Sequence, residues 1–92
     1  MADIYLCPSM MCADFGNLKN EVTSLEKAGA DIFHIDIMDG KYVPTIGMGL
    51  QDFKVIRETT DLMLDVHLMV EKPSAYVQMF AELGADIIYI HP

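Results

Sequence analysis

The turn Ala28-Gly29-Ala30-Asp31-Ile32 returns 55 residues later as Leu83-Gly84-Ala85-Asp86-Ile87. Each copy closes a stretch of helical periodicity and opens an apolar run suited to a strand. Around the two copies the spacing of apolar residues switches repeatedly between these patterns. Ile4-Tyr5-Leu6-Cys7, stopped by Pro8, reads as a first strand. Asp14 can cap a helix in which Leu18, Val22 and Leu25 share a face and which Gly29 ends. Asp31 to Ile37 is a second strand, followed by a loop from Asp39-Gly40 to about Gly49, broken by Pro44 and Gly47. A second helix carries Phe53 and Ile56, and Leu62 to Leu68 is a third strand. Pro73 stands where a first helical turn tolerates proline, ahead of the stripe Tyr76, Phe80 and Leu83. Asp86 to Ile90 is a fourth strand.

The predicted order is β-α-β-α-β-α-β, an α/β class with a parallel sheet covered by helices. The repeat spans two successive βα units, which fits a (β/α)8 TIM barrel better than a doubly wound sheet. Such barrels run to about 250 residues. The 92 residues therefore supply about the first half, read as one unit over 1–92 with no internal linker.

A hydrophobic share of 52% with 22% charged residues is a globular composition. The net charge of −8 opposes a nucleic-acid partner, which needs a basic footprint, and offers nothing to an anionic membrane surface. A single phosphate is still compatible, because a few backbone amides can hold one. The start lacks the basic and apolar segments of a secretion signal, and no apolar run approaches the roughly 20 residues of a membrane span. Cys7 and Cys12 form no disulfide framework. Together these features predict a cytoplasmic protein.

Strand alternation sorts the side chains. Phe33, Ile35 and Ile37 should meet the helices, leaving His34, Asp36 and Met38 on the barrel's inner face. The next strand repeats this, with Leu64, Val66 and Leu68 outward and Asp65, His67 and Met69 inward. Tyr5, Cys7 and Ser9 are the inward set of the first strand, and the 55-residue offset pairs Asp36 with His91 and His34 with Tyr89. His34, Asp36 and His67 thus converge near the strand ends where barrel enzymes carry their active sites. Two imidazoles and a carboxylate suit zinc, manganese or iron(II). From spacing alone, metal ligand and hydrogen-bonded core histidine both remain open. Asp65 reads as a buried, paired structural carboxylate, and Asp39-Gly40 as a turn. Lys41 and Lys72 read as solvated charges, and the methionines as filler or a pliable pocket lining.

Three segments carry a resemblance. Pro8-Ser9-Met10, His34-Ile35-Asp36-Ile37-Met38-Asp39-Gly40 with Tyr42-Val43-Pro44, and Asp65-Val66-His67-Leu68-Met69-Val70 with Pro73 resemble the ribulose-phosphate 3-epimerase family, in its order and spacing. The resemblance implies a metal-dependent isomerase of the pentose phosphate pathway. It would interconvert D-ribulose 5-phosphate and D-xylulose 5-phosphate by removing and returning the C3 proton through an enediolate. It further implies that His34, Asp36 and His67 bind one divalent ion (zinc, iron or manganese) and that Asp36 is also an acid/base. Ser9 and His67 would contact substrate, and Met38 and Met69 would line the pocket. The wording from Phe33 to Met38, with Gly47-Met48-Gly49-Leu50, also resembles D-allulose-6-phosphate 3-epimerases. A non-catalytic half-barrel module is the alternative of another class. Barrels of indole or pyrimidine biosynthesis fit less well, since they need no His-Asp-His set.

In that family a second aspartate and the glycine-rich phosphate loops lie in the C-terminal half, outside these residues. The 92-residue chain is therefore expected to have no meaningful epimerase activity alone. Its open barrel edges predict self-association or homo-oligomers.

Overall fold

The structure is a computed structural model that describes residues 4–91. Strands β1 (Ile32–Met38), β2 (Met63–Met69) and β3 (Ile87–Tyr89) form one parallel sheet in chain order. Helices α1 (Leu18–Lys27), α2 (Leu50–Thr59) and α3 (Ser74–Glu82) alternate with them. A doubly wound sheet would reverse its strand order at a switch point. The unbroken β1-β2-β3 order is that of the first part of a (β/α)8 barrel, as the repeat predicts. Among the described residues no helix is long and apolar enough to cross a membrane.

One expected element is corrected. The segment from Ile4 to Cys7 runs beside β1 but is not a regular strand. Leu6 and Pro8 offer carbonyls to the N–H groups of Asp31, Ile32 and His34, and Ser9 bridges His34. The return half of the ladder is missing for two local reasons. Pro8 has no N–H to give, and the N–H of Leu6 is taken by the Asp31 carboxylate at 2.9 Å instead of a strand carbonyl. Tyr5 and Cys7, expected on the inner face, are exposed.

The repeated turn has one geometry in both copies. Gly29 (φ 108°) and Gly84 (φ 110°) adopt the left-handed conformation that ends a helix. Asp31 then makes two contacts with Leu6, its N–H donating to the carbonyl and its carboxylate accepting from the N–H. Asp86 does the same to Leu64, both bonds at 2.9 Å. Each aspartate staples the start of its strand to the preceding one, which is why the five-residue pattern recurs.

The core lies between the helices and the outer face of the sheet. Phe33, Ile35, Leu64, Val66 and Leu68 are fully buried there against Val22, Phe53, Ile56 and Phe80. Phe53 and Phe80 meet edge to face, with centroids 5.3 Å apart. Burying each such side chain stabilises the fold by about 1.5–3 kcal/mol. Arg57, near the end of α2, binds the carbonyls of Thr60 (2.7 Å), Leu62 (2.8 Å) and Gly84 (2.9 Å). One guanidinium thus ties the α2–β2 connection to the α3–β3 turn. The sheet edges stay open, with Tyr5 68% and Ile90 53% exposed.

Candidate metal centre

Parallel pairing of β1 and β2 sets Asp36 opposite His67, with His34 opposite Asp65 one step below and Met38 opposite Met69 one step above. Period-2 alternation then brings His34, Asp36 and His67 onto one face, as the sequence predicts. Asp36 is buried, while both rings keep partial exposure toward the inner face. His34 Nε2 lies 3.0 Å and His67 Nδ1 3.3 Å from the same Asp36 oxygen, Oδ1. The other oxygen, Oδ2, accepts from Ser9 Oγ at 3.1 Å.

The outer nitrogen of His34, Nδ1, is hydrogen-bonded to the buried carboxylate of Asp65. That bond calls for a proton on Nδ1, which in the neutral ring leaves a lone pair on Nε2, aimed at a carboxylate oxygen. Two acceptors in contact repel unless a proton or a cation stands between them. A carboxylate–histidine pair behind a ligating nitrogen is the usual outer support of a metal-binding imidazole. The donor atoms of His34, Asp36 and His67 all lie within 4.8 Å of one another. Ligands at about 2.0–2.1 Å around a tetrahedral zinc ion sit roughly 3.3 Å apart, so the two contacts with Asp36 have the right span. The donor set fits a divalent ion of the zinc, iron or manganese type.

The remaining sequence candidates fall around this centre. Ser9 reaches Asp36 from the extended segment, as above. Met38 and Met69 stand side by side beyond the Asp36–His67 pair. The Met38 methyl packs under Gly47, where a Cβ would come within 2.5 Å of it. Any side chain at 47 would therefore displace Met38. Asp65 is buried and paired, as expected.

Asp39 does more than form a turn. Its Oδ2 accepts from the N–H of Glu71 at 2.8 Å, and its Oδ1 from those of Lys41 and Tyr42 at 2.8 and 2.9 Å. It joins the loops that follow β1 and β2. These bonds, Glu71 foremost, hold the carboxyl below the usual range. A depressed folded pKa means the clamp is fully present at neutral pH and is lost as pH falls through that value. The melting temperature of an Asp39→Ala variant is expected to lie below the parent's at pH 7, with the gap closing below about pH 4. A gap unchanged between pH 7 and pH 3 would refute the clamp. Sequence reasoning missed this role because two of the residues that donate to Asp39, Lys41 and Glu71, are charged types whose side chains play no part in it.

His91 was expected only as an inward polar group. Its Nε2 lies 2.7 Å from His67 Nε2, and its ring stacks on Tyr42 with centroids 5.2 Å apart.

The sequence profile described as "Ribulose-phosphate 3 epimerase family" matches residues 5–92. The chain belongs to the ribulose-phosphate 3-epimerase family. It is 50% identical over 88 residues to the ribulose-phosphate 3-epimerase of Bacillus subtilis, covering 96% of this chain and 41% of that protein. Against the Methanocaldococcus jannaschii ribulose-phosphate 3-epimerase it is 45% identical over 83 residues, covering 90% and 35%. Against the chloroplastic ribulose-5-phosphate-3-epimerase of Arabidopsis thaliana it is 43% identical over 90 residues, covering 98% and 32%. The chain thus spans about two fifths or less of the length of these relatives. In family terms, the three strands are the N-terminal part of the epimerase barrel, and the residues gathered on their inner face are those of the family-like motifs at His34–Gly40 and Asp65–Val70.

Proposed function

We propose that His34, Asp36 and His67 hold one divalent ion (zinc, iron or manganese) in the active centre of a D-ribulose 5-phosphate 3-epimerase. The observation that carries this is Asp36 Oδ1, faced by two imidazole nitrogens, one of them backed by Asp65. A divalent ion bound there supplies positive charge where an enediolate would accumulate negative charge. Asp36 removes or returns the C3 proton of the ketose phosphate, its second oxygen kept in place by Ser9. Ser9 and His67 contact the substrate, and Met38 and Met69 form an apolar wall that keeps water from the reacting carbon. The ribulose-phosphate names of the relatives favour this substrate over D-allulose 6-phosphate.

Inversion needs a second acid on the opposite face of the carbon. The carboxylates of Asp39 and Asp65 are occupied by the loop clamp and by His34. Residues 1–92 are read as one half-barrel unit that does not invert C3 of a ketose phosphate by itself. Its exposed edge residues, Ile4 to Leu6 and Tyr89 to Ile90, are surfaces for pairing with another chain. Sedimentation at rising concentration is expected to show a dimer or larger species. A monomer throughout would argue against that pairing.

The test of the centre is ion uptake. Calorimetric titration with zinc or manganese is expected to give one ion per chain, lost in His67→Ala. Equal uptake by parent and variant, or none by the parent, would refute the assignment.

A further inference from the structure

The outer nitrogens of the two imidazoles are supported differently. His34 Nδ1 has a carboxylate, Asp65, whereas His67 Nε2 has another imidazole, His91, at 2.7 Å. A carboxylate can only accept. An imidazole can accept or donate, according to which of its nitrogens carries the proton.

That difference matters because His67 Nδ1 has two possible partners. Facing Asp36 Oδ1 alone, at 3.3 Å, Nδ1 must carry the ring's proton and donate it. Nε2 is then a bare acceptor and needs a donor. Acting as a ligand, Nδ1 gives its lone pair, the proton sits on Nε2, and Nε2 needs an acceptor. His91 Nε2 serves both arrangements. In the first it carries its proton and donates. In the second it accepts, its own proton resting on Nδ1. Each neutral ring keeps one proton throughout, so no charge is created.

The seat of His91 is also built. Its ring stacks on Tyr42 at an interplanar angle of 27°, and the N–H of Tyr42 is held by Asp39. The imidazoles of His67 and His91 lie 4.8 Å apart between centroids. The β1 loop therefore reaches the centre through one ring.

We propose that His91 is a positioning residue for His67: seated by Tyr42, it meets Nε2 as donor or acceptor and so keeps Nδ1 turned toward Asp36 both with and without an ion between them. The proposal rests on the ligand role given to His67 above.

The experiment uses the 92-residue chain with two variants. His91→Phe keeps a flat ring for Tyr42 and removes both nitrogens. His91→Gln restores a group that can donate or accept. Zinc affinity is read by chelator competition, and His67 ring tautomers by long-range proton–nitrogen NMR of the metal-free chain. The expected result is roughly a 10–100-fold loss of affinity in His91→Phe, the usual cost of losing an outer-shell partner. His67 ring signals should shift with it, and His91→Gln should stay within a few-fold of the parent. Parent-like affinity and unchanged His67 signals in His91→Phe would overturn the proposal, as would equal losses in both variants. If His67→Ala leaves zinc uptake intact, the ligand reading fails separately. The ring spectra then decide, since unshifted His67 signals in His91→Phe refute the contact itself.

Discussion

An Asp36→Asn variant is expected to lose exchange of the C3 proton of D-ribulose 5-phosphate by about 100- to 10,000-fold. That is the range a positioned general base contributes. Asparagine keeps the size of the side chain and can still accept from Ser9, so the fold is little disturbed. It removes the charge that faces both imidazoles and the only basic oxygen pointing at the inner face from β1. The measurement is deuterium incorporation at C3, followed by proton NMR in D2O with millimolar substrate and saturating zinc. D-xylulose 5-phosphate should stay at background in parent and variant, because abstraction and return on one face cannot invert the carbon. Equal exchange rates would remove Asp36 from the chemistry.

The largest effect on stability is expected from Arg57→Met. Methionine retains the aliphatic packing of the arginine stem but abandons three carbonyl oxygens, those of Thr60, Leu62 and Gly84. Hydrogen bonds from a charged donor contribute about 1.5–3 kcal/mol each. Partial exposure lets water replace some of them, so the net loss is expected at about 3 kcal/mol. For a domain of this size that lowers Tm by roughly 12–24 °C. The ion pair with Asp86 adds little, as that carboxylate is 45% exposed. Arg57→Lys should recover only a small part, since an ammonium cannot span three separated carbonyls. A Tm within two degrees of the parent would show that the contacts are incidental.

The two long strands and their facing were legible because both faces speak at once. Phe33, Ile35 and Ile37 need an apolar layer, and His34 and Asp36 are then forced to the other side. β1 and β3 each start one residue later than expected, since Asp31 and Asp86 turn their carboxylates back to the neighbouring backbone. The same side-chain bond, with Pro8, removed the first strand from the regular ladder. Local composition was right there, and a competing hydrogen bond decided otherwise. Asp39 and Arg57 were illegible for a common reason. Their partners are backbone amides and carbonyls of distant loops, which no side-chain pattern marks. His91 was half legible. The internal repeat, which pairs it with Asp36, gave its direction, while its partner depends on how β3 registers with β2.

That register has a consequence for the centre. Leu6 stands three residues before Ser9, and Leu64 three before His67. Asp31 stands five before Asp36, and Asp86 five before His91. The Ser9–Asp36 and His67–His91 contacts are therefore one contact made twice, each measured off from an aspartate staple at the far end of its strand pair. A slip of one residue would turn the partner side chain to the opposite face. Damage at Asp31 should thus surface as a misplaced hydroxyl beside Asp36, and damage at Asp86 as a lost neighbour for His67. The two faults would be told apart at the site, although both arise at the opposite end of the sheet.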